Sequence, residues 1–337
     1  MQVCLIAPGP LASATAGHAY DRRMAEGLRA LGHEVRVVEL VGRLPDPDQA
    51  AIYAARTAWA ALPADSVQLI DGLALPAFAG LPLHHVTALI HHPALLEVGV
   101  PQDTAQRLHM TEADMFRDLP RLVVTSDRTA ERLTRDFHVP GNRISVIIPG
   151  IDDLPRSNGS GGPGCQILSV GALIPRKGHD VLLRSLGRLF DLDWRLTIAG
   201  SPDRDPVHTN GLSALAEDLK IAQRVRFVTD VTEALWAGTD LFALTSYFEG
   251  YGVAVAEALR RGLPVAVTNA GAVPTLVGPE AGVVCAPGDV EQFSKAIRRL
   301  IFDSPLRHDM AEIAWQSGQS LPSWNDQATR LAAVLGG

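Results

Sequence analysis

The stretch Thr245-Ser-Tyr-Phe-Glu-Gly-Tyr-Gly-Val-Ala-Val-Ala-Glu-Ala258 follows a short apolar run, Leu241 to Leu244, and decides how the rest of the chain is read. The run predicts a buried strand that breaks at Ser246, turns through Gly250 and Gly252, and enters a small-residue helix from about Val253. Glycines at a strand-to-helix turn let the backbone approach a ligand, and the helix start offers unpaired N–H groups that suit an anion. Glu249 falls in the loop and Glu257 about one turn into the helix, on either side of the turn. A carboxylate accepts from paired hydroxyls, so two acids beside an anion site point to a ligand carrying both phosphate and sugar.

The same pattern recurs. Gln166–Val170 reads as a strand running into Gly171-Ala-Leu-Ile-Pro-Arg176-Lys177-Gly178-His179, and a helix using Val181, Leu182, Leu186 and Leu189 follows. Only three of the 30 basic residues are lysines, so a lysine set between arginine and glycine is not surface filler. Arg176 can bridge two phosphate oxygens, and Lys177 can supply a point charge to a developing diphosphate. Arg195–Ala199 is a further strand, and Gly200-Ser201 at its end reads as a loop on the diphosphate side.

Outward to the N-terminus, Val3–Ala7 is a strand, and a small-residue loop runs through Gly17 to a helix from about Tyr20 to Ala30. Glu34–Leu40 resumes as a strand, which makes a βαβ opening without the G-x-G-x-x-G dinucleotide fingerprint. Asp127 is expected to cap a helix to Phe137 that carries Arg128, Arg132 and Arg135 in a row, a surface for an acidic acceptor or headgroup, or simply a solvated face. Residues 155–164, rich in Gly, Ser and Pro, read as a linker between residues 1–154 and 165–320, with 321–337 as a closing helix.

Four histidines, His84, His85, His91 and His92, invite a metal reading, but they sit at the two ends of one expected strand. At about 3.3 Å per residue the pairs are roughly 20 Å apart, too far to share an ion. His91 and His92 instead fall at the C-terminal end of that strand, where open parallel sheets place ligands. Asp46-Pro-Asp48, Asp191-Leu-Asp193 and Asp203-Arg-Asp205 look like metal-holding Asp-x-Asp pairs but lie in polar turns, so no metal is expected.

A chain of 337 residues suits two domains. Net charge is −7, and residues 1–155 hold 13 arginines and no lysine against 18 acids, so nucleic acid is excluded as a partner. No apolar run is long enough for a transmembrane helix, although a local patch for peripheral membrane contact stays open. Three scattered cysteines, Cys4, Cys165 and Cys285, fit a reducing cytoplasm.

Glu249-Gly250-Tyr251-Gly252 with Glu257-Ala258 resembles the E-x7-E signature of retaining GT-B glycosyltransferases of family 4, the glycosyl transferases group 1. Arg261-Gly-Leu-Pro-Val-Ala-Val-Thr-Asn-Ala-Gly271, Pro274, Val277-Gly278, Gly282 and Pro287-Gly288-Asp289 continue the likeness, which covers the C-terminal half well and the N-terminal half loosely. The resemblance implies an α/β GT-B fold, two Rossmann-like domains facing each other across a cleft. It implies a nucleotide-sugar donor, an acceptor hydroxyl, retention of anomeric configuration and no metal. It casts Glu249, His91, Arg176 and Lys177 as catalytic. It also casts Gly17, His92, Gly171, Gly200, Ser201, Gly250, Tyr251, Gly252, Val253 and Glu257 as donor-binding. The chain departs from the family where Ala172 stands in place of an arginine and where only Gly17 remains of a glycine pair. Two alternatives are kept: an epimerase or phosphorylase on the same fold, and a non-catalytic nucleotide-sugar-binding subunit. Sugar, base and acceptor are left open by the sequence.

Overall fold

The computed structural model describes residues 1–13, 15–63, 65–96, 101–278 and 280–336. The chain divides into two compact units, Met1–Gly150 with Pro322–Gly337, and Ile151–Leu321.

The first unit contains β1 (Gln2–Pro8), α1 (Ala16–Ala30), β2 (Glu34–Leu40), α2 (Gln49–Ala60), β3 (Val67–Asp71), β4 (Val86–Ile90), α3 (Gln102–Asp118), β5 (Arg121–Val124), α4 (Asp127–Phe137) and β6 (Ile144–Val146). Its six strands are all parallel, in the order β2-β1-β3-β4-β5-β6. Strand β4, Val-Thr-Ala-Leu-Ile, is buried throughout, as expected for a parallel strand covered on both faces. Helix α1 starts earlier than its apolar spacing suggests, because Thr15 caps it by accepting from the His18 amide at 3.2 Å. Gly17 therefore lies in the first helical turn and not in a loop. Ser126, not Asp127, caps α4, accepting from the Thr129 amide at 3.1 Å.

The second unit contains β7 (Cys165–Val170), α5 (His179–Gly187), β8 (Trp194–Ala199), α6 (Pro206–Asp218), β9 (Val225–Val228), α7 (Glu233–Ala237), β10 (Leu241–Leu244), α8 (Val253–Arg260), β11 (Val265–Thr268), α9 (Val273–Leu276), β12 (Gly282–Cys285), α10 (Val290–Phe302) and α11 (Ser304–Gln319). Its sheet is also parallel, in the order β12-β11-β10-β7-β8-β9. Successive strands thus run outward in one direction from β7 and then in the other from β10. In open α/β sheets ligands bind outside the carboxyl ends of the strands at such a reversal. The loops that leave β7 and β10 are the two that carry Gly171–His179 and Thr245–Gly252.

Residues 155–164 are not a free tether. Ser157 Oγ lies within 3.1 Å of the carbonyls of Trp236, Ala237 and Thr239, which share its one proton, and the Ser160 amide donates to Asp240 at 2.9 Å, so the segment is pinned to the second unit. The chain returns to the first unit as α12 (Trp324–Gly336). Ala328 and Leu331 join the core around Met24 and Leu28, and a Cβ at Gly27 would lie 2.4 Å from Ala328 Cβ. Only glycine at 27 allows that approach.

Glu112 of α3 is fully buried and accepts the Ala94 amide at 2.7 Å through Oε1. Burial pushes its carboxyl up to about 8, against the opposing pull of the Ala94 and Leu95 amides. The folded chain thus holds this proton more tightly than the unfolded one. The resulting stability is full below the ordinary carboxyl value and is lost as pH rises through about 8. Glu112→Gln is expected to remove this slope, leaving the variant on the order of a few kcal/mol more stable than the parent at pH 9 and nearly equal at pH 5. Urea unfolding at both pH values checks this; parallel curves for the two proteins would refute it.

Candidate active site

Glu249 organises the site of the second unit. It is 7% exposed, and its Oε1 lies 2.5 Å from Lys177 Nζ and 2.6 Å from Ser246 Oγ. Arg176 stands 3.8 Å from Oε2 and donates to the Phe248 carbonyl at 2.5 Å. Burial pushes the Glu249 carboxyl up, but the Lys177 charge and then that of Arg176 outweigh it and hold it below its ordinary value. Burial is also the larger influence on Lys177 and lowers its ammonium in spite of Glu249. An ammonium has three donors and a guanidinium five, so both cations keep donors beyond those holding Glu249.

The loops are stitched together by backbone. Tyr247 N donates to Arg176 O at 2.8 Å, and Thr245 Oγ1 donates to Gly178 O at 2.7 Å. Close approach fixes the glycines: a Cβ on Gly178, at φ +62°, would fall 2.2 Å from Thr245 O, and one on Gly200 would fall 2.0 Å from Gly171 O. Ser201 takes part through its carbonyl, which accepts Leu173 N at 3.2 Å. Helix α8 begins at Val253 after Gly252, which supplies no side-chain cap, so its leading amides are open to an anion. Gly250 and Tyr251 lie in the turn, and Tyr251 is buried with a hydroxyl that lacks a partner. Glu257 sits half-buried on α8. The structure therefore gathers Glu249, Arg176 and Lys177, with Gly171, Gly200, Ser201 and the Gly250–Val253 turn on the two loops and their neighbour after β8. His179, fully buried, was not read as part of this site; its Nε2 is 3.4 Å from Gly171 O, and burial followed by the Lys177 charge brings its ring down to about 4.

The first unit holds a second cluster. His91, at the end of β4, points Nε2 at two carboxylates, Asp21 Oδ1 of α1 at 3.2 Å and Asp71 Oδ2 at the end of β3 at 3.3 Å. Asp21 is 0% and Asp71 2% exposed. Gly17 lets α1 come down on the ring, since a Cβ there would be 3.3 Å from His91 Cδ2. Tyr20 packs edge-on at 5.2 Å, and the Thr125 hydroxyl donates to the His91 carbonyl at 3.3 Å. His92 is half-buried beside it. The ligand atoms of Asp21, Asp71 and His91 lie within 4.8 Å of one another, a spacing that would admit one metal ion. A proton on Nε2 shared between the two carboxylates accounts for the same distances. Asp21 and Asp71 escaped the sequence reading: Asp71-Gly72 reads as a turn, and Asp21 as one more polar helix residue. The available signal was that Asp21 falls on the stripe of Met24, Ala25 and Leu28, where a charge is out of place.

Features set aside at the sequence level have structural roles. Asp48 and Asp205 cap α2 and α6, while Asp191 pairs with Arg298. The arginine row of α4 is met by acids on the same helix, Arg128 by Glu131 at 2.8 Å, Arg132 by Asp136 at 3.2 Å and Arg135 by Asp136 at 2.6 Å. Among the described residues no helix is long and apolar enough to cross a membrane.

Residues 151–316 match the family model described as glycosyl transferases group 1. The match covers almost all of the second unit and no part of the first. D-inositol 3-phosphate glycosyltransferase of Mycobacterium marinum is 29% identical over 234 residues, covering 64% of this chain and 49% of the relative. The chain spans about half the length of the curated relatives it matches first. Among solved structures, sucrose-phosphate synthase of Thermosynechococcus elongatus superposes with a TM-score of 0.84 over 99% of this chain and 98% of that one, at 19% identity. Anabaena Alr3699/HepE, in complex with UDP and glucose, gives a TM-score of 0.79 over 100% and 99%, at 17% identity. These likenesses make the fold that of the GT-B glycosyltransferases, and the group 1 match falls on its second unit.

Proposed function

We propose that the protein is a retaining glycosyltransferase that moves a sugar from a nucleotide-sugar donor to an acceptor hydroxyl, without a metal in the transfer step. The observation that carries this reading is Glu249 held between Lys177 and Ser246 at the β7/β10 reversal, beside Arg176 and the open amides of α8. Glu249 would accept from hydroxyls of the transferred sugar and Glu257 from the ribose. The charge that grows on the leaving diphosphate would be met by Lys177, Arg176 and the α8 amides, fixed donors that need little reorganisation during reaction. Two adjacent cations and a helix start supply the neutralisation for which other transferases recruit a divalent ion. Three buried, unpaired cysteines support a reducing compartment, the cytoplasm.

The base is open among the common nucleotides. UDP is favoured, because a structural neighbour is solved in complex with UDP. Thermal shift with UDP, GDP, dTDP and ADP tests the reading on the parent and on Glu257→Ala. One nucleotide, expected to be UDP, should raise Tm by several degrees, and the variant should bind it at least tenfold more weakly. If none of the four stabilises the parent, the donor assignment fails; if Glu257→Ala binds as the parent does, the ribose role fails.

A further inference from the structure

One face of the second sheet is left half bare. Side chains alternate along β7, β8 and β9, and Ile167, Trp194, Leu196, Ile198, Val225 and Phe227 enter the core on one side. On the other side Val170, Ala199 and Val228, near the C-terminal ends of the strands, join the core around Trp236. Toward the N-terminal ends that same face carries Gln166, Arg195, Thr197 and Arg226 instead, and both arginines are exposed. Parallel sheets are ordinarily covered on both faces. The helix that follows β9, α7, has only five residues, and its Ala234 and Leu235 wall a cavity of about 400 Å3 over the bare half.

The charge of this cavity is one-sided. Arg195, Arg224 and Arg226 line it, and among the described residues no acid does. Arg224 is engaged, lying over the Trp194 ring at 5.2 Å and donating to the Leu192 carbonyl at 2.7 Å. The side chains of Arg195 and Arg226 have no hydrogen-bond or ion-pair partner among the described residues. Acids on adjoining elements are taken: Asp240 accepts the Gln166 amide at 2.7 Å and the Ser160 amide at 2.9 Å, and Glu233 pairs with Arg261. Arg226 is in register with Thr197, so Arg195 lies on the diagonal. The two Cα atoms are then roughly 8 Å apart, and both guanidiniums can reach one anion. Like charges set side by side on a sheet repel, and a shared phosphate, held by paired N–H donors, reverses that cost.

We propose that this cavity is a second binding site of the unit, for a small polyhydroxylated phosphate monoester of the sugar-phosphate kind. Arg195 and Arg226 hold the phosphate. Gln166, Thr197 and Gln223, whose side chains line the cavity without partners among the described residues, meet the hydroxyls. The volume is within the range of small-molecule sites and leaves room beyond a phosphate for the organic part. The cavity lies at the N-terminal ends of the strands, opposite the loops after β7 and β10 that carry Lys177 and Glu249. It is therefore separate from the site built on Glu249 and does not depend on the transferase reading.

The test is isothermal titration calorimetry of the full chain with glucose 6-phosphate, inorganic phosphate and glucose. Glucose 6-phosphate should bind at least fivefold more tightly than inorganic phosphate, glucose should not bind, and added salt should weaken the phosphate ligands. Arg195→Gln and Arg226→Gln should each weaken glucose 6-phosphate at least tenfold. Both side chains are exposed, so neither variant is expected to disturb the fold, and an unchanged Tm without ligand checks this. Arg184→Gln removes the same charge from an exposed position on α5 and should stay within about twofold of the parent. No binding of glucose 6-phosphate at millimolar concentration would overturn the proposal. So would binding that both cavity variants retain, which would place the ligand elsewhere, or an equal loss in all three variants, which would reduce the effect to overall charge. Inorganic phosphate bound as tightly as the ester would overturn the assignment of the hydroxyl-binding residues and leave an anion site alone.

Discussion

Lys177→Ala is expected to cost roughly 2–4 kcal/mol of stability and at least a hundredfold in glycosyl transfer. Both effects follow from one contact. The ammonium lies 2.5 Å from Glu249 Oε1, with side chains 14% and 9% exposed, so removing it strands a carboxylate that water cannot reach well. Arg176 at 3.8 Å compensates only in part. The pH dependence discriminates between this cause and general damage. In the parent, Glu249 is held below its ordinary value, so its stabilisation is present above that value and is lost only as pH falls through the lowered one. In the variant, burial is opposed only by the more distant Arg176 and the Ser246 hydroxyl, and Glu249 takes a proton more readily. The stability gap between parent and variant should therefore narrow as pH falls from 7 toward 5. A second variant isolates catalysis from folding: Lys177→Met with Glu249→Gln should recover most of the stability and none of the activity. A gap that is constant with pH would refute the buried-pair account, and transfer at parental rate in Lys177→Ala would remove Lys177 from the chemistry.

Gly271→Ala should be worse for stability than its size suggests, with a loss of about 3 kcal/mol or more. Gly271 has φ +58°, and a Cβ there would sit 1.8 Å from the Glu249 carbonyl and 3.2 Å from its amide. Alanine pays for the left-handed backbone, by about 1–2 kcal/mol, and must also push the Glu249 segment aside. The Ala272 amide, which donates to the same carbonyl at 3.3 Å, would move with it. Nucleotide affinity should fall alongside stability, because the displaced residue is the one at the centre of the site. Gly278→Ala is the control, since nothing lies within 4 Å of a Cβ there and its φ is ordinary. Urea unfolding of the two variants should separate them widely, and equal midpoints would show that the loop yields without cost.

The site of the second unit was legible because its signals are local. Strand, glycine turn, acid and helix follow one another within Leu241–Ala258, and the cations are adjacent within Gly171–His179. What spacing withheld was the direct bond between Lys177 and Glu249, 72 residues apart, for which the sequence suggested separate tasks. The cluster around His91 was harder. Its members come from α1, β3 and β4, His91 and Asp21 being 70 residues apart, and each had an ordinary local explanation. Element ends shifted for identifiable reasons: Thr15 and Ser126 capped helices whose starts apolar spacing places later or one residue off. The 155–164 segment shows the limit of composition, which reports what resists regular structure and is blind to the carbonyls that Ser157 binds.

The return of the last helix to the first unit has a consequence for the order in which the protein is made. Helix α12 adds Ala328 and Leu331 to the core of Met24 and Leu28, and Arg330 donates to the Val146 carbonyl at 3.1 Å. During synthesis from the N-terminus, residues 1–150 emerge first yet lack that piece of their interior until every residue of 151–321 has been added. The second unit, continuous in sequence, has all of its own contacts available as soon as it clears the ribosome. The half that is translated first is thus the half that is completed last, and throughout elongation it carries an uncovered apolar face on α1.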